Sequence, residues 1–132
     1  MSLTQYLWVA FGGALGAMSR AFVGAWVTKQ TGGGFPWGTF VINVSGCFIL
    51  GLVSTLLAER VLYNPNIRPF FTIGFVGAYT TFSTYEYESA QLGSSWHAFG
   101  NLVGSVIAGY GAVWLGIQLA RWIASIYHPS PG

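Results

Sequence analysis

The segment Trp37–Ala58 reads WGTFVINVSGCFILGLVSTLLA, and its reading decides the architecture. It carries no charged side chain, and a membrane-spanning helix needs about 20 mostly apolar residues. The breaker cluster Thr31-Gly32-Gly33-Gly34-Phe35-Pro36 precedes it, and Glu59 and Arg60 follow it. The same punctuation recurs outward in both directions. Residues 1–19, 30–58, 69–85 and 89–120 are charge-free, and the few charges fall between them. The pattern predicts four helices, at roughly 4–27, 37–58, 70–92 and 97–124, forming a single transmembrane domain over 1–132. Asn64-Pro65-Asn66 and Pro69 bound the third, and Pro69 suits the first position of a helix. Gly93-Ser94-Ser95 is a short turn, and residues from His128 to Gly132 form a tail.

Composition agrees. The chain has 132 residues, of which 53% are hydrophobic, 17% aromatic and only 6% charged. Soluble domains carry about 25% charged residues, so this is an integral membrane protein, all-α by its four predicted spans. Disordered chains are charged and poor in aromatics, the opposite of this composition. Four arginines, one lysine and three glutamates form no basic cluster, which argues against nucleic acid as a partner. A single cysteine, Cys47, makes no intrachain disulfide. The N-terminus has no positive region ahead of its apolar run, so no cleavable signal is expected. No P-loop, metal-ligand spacing or Ser/His/Asp set is present, and His97 and His128 are isolated. This is not the pattern of an enzyme.

Four spans put Arg60, Arg68 and Arg121 on one side, with Lys29 on the other, joined by Arg20 if it snorkels that way. This weak bias admits two readings: one fixed topology, or insertion both ways with antiparallel pairing. Small residues recur every fourth position in the last span, at Gly100, Gly104, Ala108, Ala112, Gly116, Ala120 and Ala124. Gly12, Gly16 and Gly24 do the same in the first. Such stripes are surfaces for close helix or subunit contact. Four short helices do not readily enclose a watery path alone, so a homo-oligomer is expected.

Polar groups in hydrocarbon are costly and tend to be functional. Thr39 and Asn43 lie one turn apart in the second span. Asn43 admits a helix-to-helix hydrogen bond or a donor lining an ion path. Ser45 and Ser54 can satisfy themselves on their own helix. The third span contains Gly77-Ala78-Tyr79-Thr80-Thr81-Phe82-Ser83-Thr84-Tyr85, rich in weak helix formers. It is either a regular helix with hydroxyls bonded to the preceding turn or a helix broken near its middle. A break frees carbonyls for a cation and N–H groups for an anion. Arg20 snorkels or faces a polar vestibule, and Glu86 and Glu88 fall near the end of the third span. A proton-coupled exporter of the small multidrug type would need a carboxylate deep in the membrane, and the first span has none.

Three segments resemble the Fluc (CrcB) fluoride channels. Gly12-Gly13-Ala14-Leu15-Gly16-Ala17-Met18-Ser19-Arg20 is similar to the GGxxGAxxR opening of that family. Trp37-Gly38-Thr39-Phe40-Val41-Ile42-Asn43-Val44-Ser45-Gly46 is similar to its GTxxVNxxG segment, and residues 74–85 to its GxxGxxTTFSTF signature. Order, spacing and the four-span length agree over nearly the whole chain.

The resemblance implies an antiparallel, dual-topology homodimer with two fluoride pores in a bacterial plasma (inner) membrane. It implies passive export of cytoplasmic fluoride, which relieves fluoride toxicity. It implies a structural sodium ion at the dimer centre, held by the main-chain carbonyls of Gly77 and Thr80. Pore roles fall to Asn43, Phe82, Ser83 and Tyr85, with Thr39 and Ser105 on a polar track and Arg20 at the vestibule. Two departures stand out: Tyr85 replaces the usual Phe, and Asn101 precedes Ser105 where a Tyr is common. The residue types suit a small, strongly hydrated anion. Amides and hydroxyls donate without a fixed charge that would bind too tightly. Aromatic rings present a positive edge.

Overall fold

Ser2 starts the first helix. Its hydroxyl accepts from the Gln5 N–H at 3.3 Å, while the Gln5 side chain accepts from the Ser2 N–H at 2.9 Å, a reciprocal cap. The computed structural model describes residues 1–93 and 95–127. The elements are α1 (Leu3–Thr31), α2 (Trp37–Ala58), α3 (Arg68–Val76), α4 (Gly77–Tyr79), α5 (Phe82–Gln91) and α6 (Trp96–Tyr127), with no strand among the described residues. α1 runs four residues past the predicted 27, to Gly32 at φ 73°, with Lys29 in its last turn where the helix dipole favours a cation. α2 has the predicted bounds.

The third segment departs most from the predicted 70–92. It begins at Arg68, and Arg68–Val76 is wound as a π-helix. The Thr72 hydroxyl donates to the Arg68 carbonyl at 2.8 Å, taking the acceptor of an ordinary i→i−4 bond, which favours the wider winding. At Thr80 (ψ 158°) and Thr81 (φ −149°, ψ 118°) the chain is extended, and the helix resumes only at Phe82. The helix is therefore broken near its middle. α5 has 10 residues, about 15 Å at 1.5 Å per residue, half of a hydrocarbon core about 30 Å thick. Three helices, α1, α2 and α6, are long and apolar enough to cross a membrane. The third predicted span, 70–92, is not one such helix, because the break and the polar run Ser83–Thr84–Glu86–Glu88 divide it. Gly93 turns the chain at φ 63°. Ser94 of the predicted turn and the tail at 128–132 lie outside the described residues. The Ser95 hydroxyl accepts from the Ala98 N–H at 3.3 Å and opens α6, which exceeds the predicted 97–124 at both ends.

α1 lies against α3, and α2 against α6. Both contacts are backbone on backbone. A Cβ added at Gly12 would fall on the Phe70 carbonyl, and one at Gly16 on the Phe75 carbonyl. Gly74 answers from the other side, where a Cβ would sit 2.6 Å from the Val9 carbonyl oxygen. Gly51 and Gly116 make the equivalent approach between α2 and α6. The small-residue stripe of α6 is thus divided. Ala112, Gly116, Ala120 and Ala124 are buried, while Gly100 and Gly104 face open space. Large apolar side chains point outward, including Phe22, Trp26, Val106, Ile107 and Trp122, as a lipid-facing surface requires.

These contacts predict that Gly16→Val, which forces a side chain into the Phe75 backbone, costs about 1–3 kcal/mol of stability. Gly33→Ala, in a turn with nothing within 4 Å, is expected to be neutral. Thermal unfolding of the two variants in detergent tests this.

Candidate functional site

A break in a membrane helix strands main-chain groups that water cannot reach, so each needs a partner. Asn43 supplies two. Its Nδ2 donates to the Thr81 carbonyl at 3.0 Å, and its Oδ1 accepts from the Thr81 N–H at 2.8 Å. In a continuous helix that N–H would bond to the Gly77 carbonyl, four residues back. The Thr84 N–H, which would bond to the Thr80 carbonyl, goes instead to the Thr81 hydroxyl at 3.3 Å, capping α5. The side chains of Asn43 and Thr81 thereby divert the donors of two carbonyls, Gly77 and Thr80. Neutral oxygen donors of this kind suit a hard cation. Gly77 is also exposed, and a Cβ there would meet only the Thr72 carbonyl oxygen at 4.0 Å. The residues fit a sodium ion in chemistry and access.

Asn43, Thr80, Thr81 and Phe82 line a recess of about 220 Å³, closed on its α2 side by Cys47 and Leu50. Phe82 is 74% exposed, whereas Tyr85 is 7% exposed. Their ring centroids are 5.9 Å apart at 43°, so the two aromatics do share a side. The Tyr85 hydroxyl donates to the Leu102 carbonyl at 2.8 Å, which ties α5 to α6 and leaves that hydrogen unavailable to an ion. Ser83 is exposed beside Phe82. Thr39 is buried one turn before Asn43. Ser105 is not at the recess; its hydroxyl donates to Asn101 Oδ1 at 3.1 Å on α6. Arg20 is half-buried on α1, one turn beyond Gly16.

Other residues matter that the sequence reading named without giving them a role, or, for Ser89, did not single out. Asn101, 1% exposed, donates to the Ser89 hydroxyl at 2.8 Å, and Ser89 donates to the Tyr85 carbonyl at 2.7 Å. This relay is a second tie between α5 and α6. Ser45 does bond its own helix, at the Val41 carbonyl, yet its oxygen also lies 2.9 Å from the Tyr79 hydroxyl. The signal was available: a tyrosine hydroxyl within an apolar span needs a partner. Glu86 is exposed, but Glu88 keeps one carboxylate oxygen, Oε2, enclosed with no partner among the described residues.

Comparison with known proteins agrees with this architecture. The profile of the family described as CrcB-like protein, Camphor Resistance (CrcB), matches residues 7–117. A protein of Solibacter usitatus named fluoride-specific ion channel FluC is 46% identical over 120 residues, 89% of this chain and 98% of that one. One of the same name from Acidobacterium capsulatum is 46% identical over 127 residues, covering 92% and 99% of the two chains. A third, from Chloroflexus aurantiacus, is 41% identical over 123 residues, covering 91% and 98%. These relatives are ion channels, not enzymes. With a broken third helix, an asparagine closed on the break and a family match over most of its length, the chain belongs to the CrcB-like family.

Proposed function

We propose that this chain is a passive, fluoride-selective channel that exports cytoplasmic fluoride and so relieves its toxicity. The working unit is an antiparallel, dual-topology homodimer in a bacterial inner membrane, each protomer crossing it four times. The observation that carries the reading is the Asn43 amide. It has two N–H groups, and the Thr81 carbonyl uses one. A neutral donor remains beside a recess whose rim is an exposed aromatic ring. An anion there meets an amide hydrogen and the positive edge of Phe82, with no fixed charge to trap it.

Roles follow from position. Ser83 adds a hydroxyl donor next to Phe82, and Tyr85 adds a second ring held in place by its bond to Leu102. Thr39, one turn from Asn43, extends the polar track; Ser105, away from the recess on α6, is assigned to it by the family resemblance alone; and Arg20 draws anions to the vestibule through its field. The exposed Phe82 and Gly77 leave this region of the protomer open to a second copy. The Gly77 and Thr80 carbonyls are the groups that would hold a sodium ion, which would supply positive charge to offset the dipoles of those carbonyls.

Fluoride efflux from liposomes loaded with the purified protein, with chloride as the control ion, tests the function directly; tightness equal to empty vesicles refutes it. Asn43→Asp keeps an acceptor for the Thr81 N–H but loses the donors and adds a charge. A carboxylate at mid-membrane depth costs about 2.5–3.5 kcal/mol, so efflux is expected to fall at least about tenfold in the same assay. Phe82→Ile, which removes a ring edge from an exposed position, is expected to impair efflux while the dimer mass in detergent stays unchanged. Replacing sodium by N-methylglucamine is expected to weaken the dimer or its flux; indifference to sodium counts against the cation site.

A further inference from the structure

Two residues outside the pore meet beside the break. Tyr79, the last residue of α4, is 6% exposed. Its ring stacks on Phe75, with centroids 5.7 Å apart at 13°. Its hydroxyl lies 2.9 Å from Ser45 Oγ, and Ser45 Oγ lies 2.6 Å from the Val41 carbonyl. The single Ser45 hydroxyl hydrogen goes to that carbonyl, so Tyr79 is the donor to Ser45. The result is a relay from Tyr79 through Ser45 to the main chain of α2, each bond polarising the next.

This relay completes a template. Three residues of α2 receive three consecutive residues of the broken segment. Ser45 takes Tyr79, Gly46 takes Thr80 and Asn43 takes Thr81. Gly46 is fixed by shape, since a Cβ there would collide with the Thr80 methyl group. The Asn43 bond holds the chain after the carbonyls of Gly77 and Thr80, and the Tyr79 bond holds it between them. The Thr80 N–H and hydroxyl both donate to the Val76 carbonyl at 3.0 Å, which ties this stretch to α3; the Tyr79 bond adds the tie to α2 at the residue between the two carbonyls, and so sets their direction relative to Asn43.

We infer that Ser45 and Tyr79 are positioning residues that set the Gly77 and Thr80 carbonyls at the geometry a sodium ion requires. The inference rests on the sodium site proposed above. Neither side chain touches the ion; both act through the backbone at Tyr79. Tyr79→Phe is the mildest probe. It retains the stack on Phe75, and Ser45 stays satisfied by Val41.

The test measures the thermal midpoint of the purified full-length protein in detergent as sodium is titrated at constant ionic strength. A bound ion raises the midpoint of the wild type as its concentration rises. Tyr79→Phe and Ser45→Ala are each expected to raise the sodium dissociation constant, fitted from the logarithmic rise of the midpoint with sodium, by roughly three- to tenfold, the range of one net hydrogen bond. The double variant is expected to shift no further than either single, because both changes cut the same relay. Ser45→Thr, which keeps a hydroxyl, is expected to titrate close to the wild type. Variants whose midpoint is lower at every sodium concentration but whose fitted sodium dissociation constant is unchanged would overturn the inference, since that is general destabilisation. Additive shifts in the double variant would also overturn it. A wild-type midpoint indifferent to sodium overturns the sodium site itself, and that outcome is distinct from the others.

Discussion

The reciprocal pair of hydrogen bonds between the Asn43 amide and the main chain of Thr81 is the constraint on which the rest depends. In water, opening a helix for two residues is cheap, because solvent takes the freed groups. In hydrocarbon each unsatisfied group costs several kcal/mol, so an extended stretch survives only where side chains replace the solvent. An asparagine is the smallest side chain that donates and accepts at adjacent positions, as a peptide unit does. Its effect is more than structural repair. By holding the Thr81 N–H it also prevents the helix from closing over Gly77.

That clamp works only if the broken segment lies close to its neighbours. Glycines arrange this: Gly12 and Gly16 on α1 meet the main chain of α3, and Gly46 admits the side chain of Thr80. Lipid offers no hydrophobic drive for helices to associate, so close packing and hydrogen bonds must supply it. The α5 end is held differently. Its face is polar, and it is tied to α6 by Tyr85 to Leu102 and by the relay through Ser89 and Asn101. One half of the third segment is therefore packed and the other is laced. The Tyr85 substitution belongs to the lacing, because its hydroxyl reaches a carbonyl that a phenylalanine would leave alone.

Much of this was legible in the sequence, for identifiable reasons. Charge spacing located α1, α2 and α6, since a charge is the most expensive thing to place in a bilayer. The weak helix formers from Gly77 to Thr84 marked the break, although composition alone left a regular helix open. For Asn43 the two readings turned out to be compatible: its helix-to-helix bond uses one amide hydrogen and leaves the other. The π winding of Arg68–Val76 was not legible, because it depends on a hydroxyl competing for a particular carbonyl. The divided stripe on α6 was legible but not read: each four-residue step drifts about 40° round the helix, so Gly100 and Gly116 face nearly opposite ways, and a neighbour covers only one of them. Ser45 was passed over because its bond to its own helix looked sufficient, whereas its oxygen had a second lone pair to offer.

The split in the third segment also bears on how the protein is made. Neither half is long or apolar enough to partition into a bilayer by itself, and α5 carries Glu86 and Glu88. The groups that receive this segment, Gly12 and Gly16 on α1 and Asn43, Ser45 and Gly46 on α2, all precede it in the chain. Synthesis proceeds from the N-terminus. The docking surface is thus complete before the fragile segment emerges from the ribosome, and only α6 has to arrive afterwards.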